Sequence, residues 1–136
     1  MIGPKLARPT PAEERDAYEL ATLRDSDTCQ RCRRAQGTNR DHRKNRSQGG
    51  HTVASNLQLL CGTGTTGCHG WVTSHPADAV ADGWAVPGWA DWREWPARRW
   101  VPGPWGALRL AWVLYDDEGA WVEIPEYEAH ERMGGA

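Results

Sequence analysis

Phenylalanine is missing from this 136-residue chain, methionine occurs only twice, and the mean hydropathy is −0.73. Aliphatic core material is therefore scarce and the fold would benefit from a metal staple; at this length the chain has room for one compact domain, with or without an appendage. No apolar run approaches the roughly 18 residues of a membrane-spanning helix, so no membrane association is expected. Residues 1–10 lack the apolar stretch of a secretory signal, which points to a reducing, cytoplasmic compartment. There, four cysteines serve more readily as metal ligands than as disulfides. Internal repeats are absent as well. What the chain does hold is nine tryptophans, each able to bury a large area.

The net charge of −2 conceals two opposed halves. Residues 1–75 carry eleven Lys/Arg against seven Asp/Glu, whereas residues 76–136 carry five against eleven. Between Arg31 and Arg46 lie Arg31, Arg33, Arg34, Arg40, Arg43, Lys44 and Arg46, with Asp41 as the single acid. Such a block can neutralise phosphates and draw in a polyanion, although taken alone it also reads as a solvated charge run.

Thr10-Pro11-Ala12-Glu13 has the form of a helix start with a capping box, followed by Ala17, Leu20 and Ala21 at helical spacing. Asp25-Ser26-Asp27 ends that element. Further on, residues 39–43 read as a short extended piece, residues 44–56 as a polar loop around Gly49-Gly50, Leu57 to Leu60 as a brief strand, and Cys68 to Ser74 as a helix. A second helical segment is expected over Ala77 to Asp82, ending at Gly83. Residues 84–105 show no clean period, while the alternation of Leu110, Trp112 and Leu114, the turn 116–119 and the run from Trp121 to Ile124 predict a β-hairpin. The acidic tail from Pro125 is expected to fray. The reading is an α+β chain in three parts: an N-terminal helix (1–27), a core (28–75) and a Trp-rich extension (76–136).

Cys29 and Cys32 form a CxxC knuckle, a spacing that lets two thiolates reach one tetrahedral ion. Cys61 and Cys68 are separated by six residues, but three of those six are glycine, so the loop can fold back. Structural zinc on Cys29, Cys32, Cys61 and Cys68 is the reading adopted. A redox pair would need a thioredoxin-like context that is lacking, and four unrelated buried thiols is the remaining alternative. A site of four thiolates has no open position and would do no chemistry.

Between the cysteine pairs stand Asp41-His42-Arg43, then Asn56-Leu57, then Cys68-His69-Gly70. The order of CxxC knuckle, acid–His pair, Gly-Gly loop, Asn-Leu strand start and Cys-His helix start resembles the HNH endonuclease family, whose fold is the ββα-metal motif. The run from Leu59 to Val72 resembles HNH endonucleases encoded by actinobacterial phages. The resemblance covers residues 28–75 well and residues 76–117 more loosely. It implies a zinc-stapled ββα-metal nuclease core that cuts DNA, with His42 as general base and Asn56 holding the loop that positions His42. It also implies Asp41 and His69 as ligands of a catalytic Mg2+ or Mn2+ ion. A carboxylate and a neutral imidazole suit such ions, and an imidazole titrating near neutrality suits a base that takes a proton from water.

Many relatives have a second histidine where this chain has Asp41. Some have a third histidine ligand one helical turn beyond the second, where this chain has Thr73. His75 is left as a third ligand or a phosphate contact, His51 as a solvated loop residue, and His130 carries no signal. Arg40, Arg43, Lys44 and Arg46 are the expected phosphate contacts. The tryptophans of residues 84–105 are expected to pack rather than to stack on bases, because their surroundings are acidic. A phage terminase or another packaging protein is the implied partner. Two other classes of function stay open on the sequence: a non-catalytic zinc-ribbon DNA-binding module, and an adaptor that docks a larger packaging machine.

Overall fold

The computed structural model describes residues 7–134. Helix α1 (Pro11–Arg24) begins as the sequence predicts: the Glu13 amide donates to the Thr10 hydroxyl, and the Thr10 amide donates to the Glu13 carboxylate. It buries little beyond Ala17 and Ala21, which pack on Leu57 and Leu59. Those leucines belong to β2 (Leu57–Leu60), which runs antiparallel to β1 (Asn39–His42) with Asp41 opposite Gln58 and His42 opposite Leu57.

All four residues of β2 are buried, so this two-stranded sheet is covered on both faces. Alternation sends Arg40, His42, Leu57 and Leu59 toward α1, and Asp41, Gln58 and Leu60 toward the other side. There Leu60 meets Cys29, Cys68 and Val72, the latter two on α2 (Gly67–Ser74). A second short helix, α3 (Pro76–Ala81), follows at His75-Pro76.

The rest of the chain folds as a three-stranded antiparallel sheet in the order β3 (Ala97–Pro102), β4 (Leu108–Tyr115) and β5 (Trp121–Ile124). The predicted hairpin is β4–β5. Strand β3 is an addition to the expectation, and so is α4 (Glu126–Arg132), which replaces the fraying tail and packs Ala129 against Trp112 and Ile124. Trp84, Trp92, Trp95 and Trp112 are buried, as expected of packing residues. Trp89 and Trp105, by contrast, are largely exposed. The whole is an α+β fold in which no described helix is long and apolar enough to cross a membrane.

A buried polar network joins the parts. Asp25, at the end of α1, receives hydrogen bonds from Arg24 (2.8 Å), from Arg99 of β3 (2.6 Å) and from the Leu59 amide (3.1 Å). Arg24 also donates to the carbonyls of Ala54 and Leu57, and Arg99 to the Tyr115 hydroxyl. Buried charges persist when they are paired and hydrogen-bonded in this way, here with Arg99 Nε alone left without a partner among the buried side-chain atoms of this network.

Candidate metal centres and active site

The four cysteines converge. The sulfurs of Cys29, Cys32, Cys61 and Cys68 all lie within 4.8 Å of one another, and those of Cys32 and Cys61 are 3.9 Å apart. Tetrahedral zinc with Zn–S bonds of about 2.3 Å needs S–S edges of about 3.8 Å, so the donor set fits that ion. The six-residue spacing is closed by glycine. Gly62 (φ +88°) and Gly67 (φ +62°) occupy the left-handed region, and a Cβ on Gly62 would come within 2.1 Å of the Thr66 carbonyl oxygen. Burial pushes the Cys68 thiol up to about 12. Burial acts the same way on Cys32, but hydrogen bonds from the Arg34 amide and the neighbouring thiols prevail and bring it down to about 7. Arg31, stacked 3.8 Å over Trp71, donates to the Cys68 sulfur at 3.5 Å and adds positive charge beside the cluster.

The second constellation forms where the β1–β2 sheet meets α2. Asp41, His42 and His69 line one cleft of about 440 Å3, walled by Val72, Thr73, Pro76, Val80 and residues 85–88. Asp41 Oδ1 and His69 Nε2 are 3.2 Å apart. This hydrogen bond, ahead of the opposing effect of burial, raises the His69 pKa. A carboxylate oxygen and an imidazole nitrogen meeting in an open cleft suit a divalent cation such as Mg2+ or Mn2+.

His42 enters from the opposite face of β1. Its Nε2 lies 2.8 Å from the Thr52 hydroxyl, and its ring meets Tyr18 edge-on. Burial lowers its pKa ahead of the opposing effect of the neighbouring Asp41 charge, which favours the neutral imidazole.

Asn56 is fully buried and closes the loop between the two strands. Its Oδ1 accepts from the Lys44 amide at 2.8 Å, and its Nδ2 donates to the carbonyls of Lys44 and His51, both at 3.0 Å. Both ends of the segment 44–51 are thereby clamped, one beside His42 and the other beside Thr52. This is the bond across the loop anticipated for that residue.

The basic block divides. Arg43, expected at a phosphate, is instead 2 % exposed. Its guanidinium donates to the carbonyls of Ser55, Trp92, Trp95 and Pro96 at 2.9–3.3 Å, so the Trp-rich segment is docked onto the back of β1 through an arginine. Burial brings its pKa down to about 10. Lys44 is half-buried and donates to the Ala90 carbonyl at 2.8 Å. Arg40 and Arg46 are exposed, Arg40 stacking over Tyr18 and Arg46 lying 3.6 Å from Glu14.

His75 stacks on Trp71 and bonds its carbonyl through Nδ1, and it does not line the cleft. His51 packs against Trp92 rather than standing free in solvent. Two residues of the site escape a reading of the sequence. Nothing distinguishes Thr52 in the chain. Gln58 does carry a signal, as one polar residue inside the otherwise apolar run Leu57-Gln58-Leu59-Leu60.

Residues 29–70 match the family model described as HNH endonuclease, and all four cysteines, Asp41, His42, Asn56 and His69 fall inside that span. Comparison with curated proteins and with solved structures returns no match.

Proposed function

We propose that this protein is a divalent-metal-dependent endonuclease that hydrolyses phosphodiester bonds of DNA. One observation carries the reading: Asp41, His42 and His69 share a single cleft, with the ligand pair 3.2 Å apart. The match of residues 29–70 to the HNH endonuclease model supports it.

Asp41 and His69 would hold a Mg2+ or Mn2+ ion, which when bound would supply positive charge to the scissile phosphate and the leaving oxygen. His42, whose burial favours the neutral imidazole, accepts the proton from the attacking water. With Nε2–H of His42 donating to the Thr52 hydroxyl oxygen, Nδ1 is the lone-pair nitrogen available for that transfer. Asn56 fixes the loop on which this arrangement depends. The four-cysteine cluster holds zinc and ties the start of the core to α2. Arg40 and Arg46 contact the DNA backbone, with Lys44 beside them.

The resemblance to nucleases of actinobacterial phages supports work in the host cytoplasm during genome processing, beside a terminase or another packaging protein. The test is cleavage of supercoiled plasmid. Nicked or linear product should form with Mg2+ or Mn2+, disappear with EDTA and return when the ion is restored. The His42→Ala protein, folded and zinc-loaded, should give none. Cleavage that persists in EDTA, or in His42→Ala, overturns the reading.

A further inference from the structure

Gln58 is 1 % exposed in the middle of a strand whose other residues are all leucine. A buried amide is tolerated only for the hydrogen bonds it makes. Its Nε2 donates twice, to Asp41 Oδ2 at 3.0 Å and to the Trp84 carbonyl at 2.6 Å. Both partners are pure acceptors, so the position demands a group with two N–H bonds. The Gln58 Oε1 atom is buried without a partner, so this arrangement keeps the two donations even though it leaves an acceptor unsatisfied.

The two oxygens of Asp41 are thus divided. Oδ2 is held by Gln58, while Oδ1 faces His69 Nε2. We infer that Gln58 is a positioning residue for the divalent-cation site. It fixes the rotation of the Asp41 carboxylate so that one oxygen alone is presented beside His69, and it anchors that carboxylate to the backbone of the Trp-rich segment at Trp84. The inference rests on the proposed cation site. It gives the C-terminal half a direct part in metal affinity, although that half supplies neither of the proposed ligands.

The experiment is calorimetric titration of the zinc-loaded protein with Mn2+ alone. Gln58→Met keeps the side-chain length and removes both donors. It should weaken Mn2+ binding about tenfold, in the range expected when a ligand is deprived of its supporting hydrogen bond, with zinc content unchanged. Raising Mn2+ should then restore plasmid nicking to the wild-type rate in Gln58→Met and leave His42→Ala inactive. Should Gln58→Met fail to fold, Gln58→Asn carries the same expectation, since its amide falls short of both acceptors. An unchanged Mn2+ affinity in a folded Gln58 variant, together with loss of binding in Asp41→Ala, overturns the positioning role and leaves the cation site standing. Undiminished Mn2+ binding in Asp41→Ala overturns both.

Discussion

In the segment from residue 28 to 75, the large apolar side chains that are fully buried are Leu57, Leu59 and Leu60, and the neighbours of Leu60 are mostly thiols. In the C-terminal half, Trp84, Trp92, Trp95, Trp112, Val101, Val113, Tyr115 and Ile124 are all buried, spread over three packed clusters and their surroundings. The half that holds the proposed chemistry has the poorer core. It is held by polar means: a thiol cluster at one end, and at the other Arg43 and Gln58 reaching for carbonyls of residues 84–96. The lesson is that the aromatic half serves as a backing that meets the β1–β2 sheet, its loops and the end of α1 through main-chain carbonyls at Trp84, Trp92, Trp95 and Pro96 as well as through the side chains of Trp92 and Arg99.

The contrast is sharpest at the cysteines. Cys29→Ser should unfold residues 28–75, and elemental analysis of wild-type protein should find about one zinc per chain. A Cys29→Ser protein with a wild-type unfolding transition would break the comparison. Next comes Arg43→Ala, which strands four buried carbonyls and should destabilise the fold by about 3 kcal/mol or more in denaturant titration. The same variant should leave the salt dependence of DNA binding unchanged, whereas a flattened slope would put Arg43 back on the phosphates.

Asn56→Ala frees both ends of the segment 44–51 beside His42, and nicking should slow about tenfold to a hundredfold. Replacing Arg40 and Arg46 by Gln should lower the salt slope by about one unit for each phosphate that is no longer neutralised, with stability nearly constant. The smallest effect is expected at Trp105, which is fully exposed at φ +62° in the β3–β4 turn. Trp105→Gly should shift stability by no more than about 0.5 kcal/mol, because no packing is removed and a left-handed residue is relieved. A larger loss would mean that the turn itself holds the sheet.

Much of the N-terminal half is legible in the chain because its signals are local. Thr10 and Glu13 cap their helix three residues apart, the β1–β2 and α2 pattern follows short apolar runs, and glycines mark the Cys61–Cys68 loop. The hairpin β4–β5 is legible for the same reason. Strand β3 is not, because its inward positions read Ala97, Arg99 and Val101, and an arginine there breaks the apolar alternation while satisfying itself on Asp25 and Tyr115. Helix α4 is hidden by its charge, since Ala129 is its one buried residue. Arg43 misleads in a similar way. Set among six exposed or half-exposed basic residues, nothing local reveals that its four acceptors wait up to 53 residues downstream.

That separation has a consequence for time as well as space. During synthesis from the N-terminus, a chain extended only to residue 75 already contains both cysteine pairs, Asp41, His42, Asn56 and His69. It still lacks Trp84 for Gln58, residues 92–96 for Arg43 and Arg99 for Asp25. Domains assemble as units only when their distant contacts have been made. The nascent protein therefore carries every proposed catalytic group before the contacts that brace them exist, and on the proposed function cleavage competence would wait for the first strand of the second sheet.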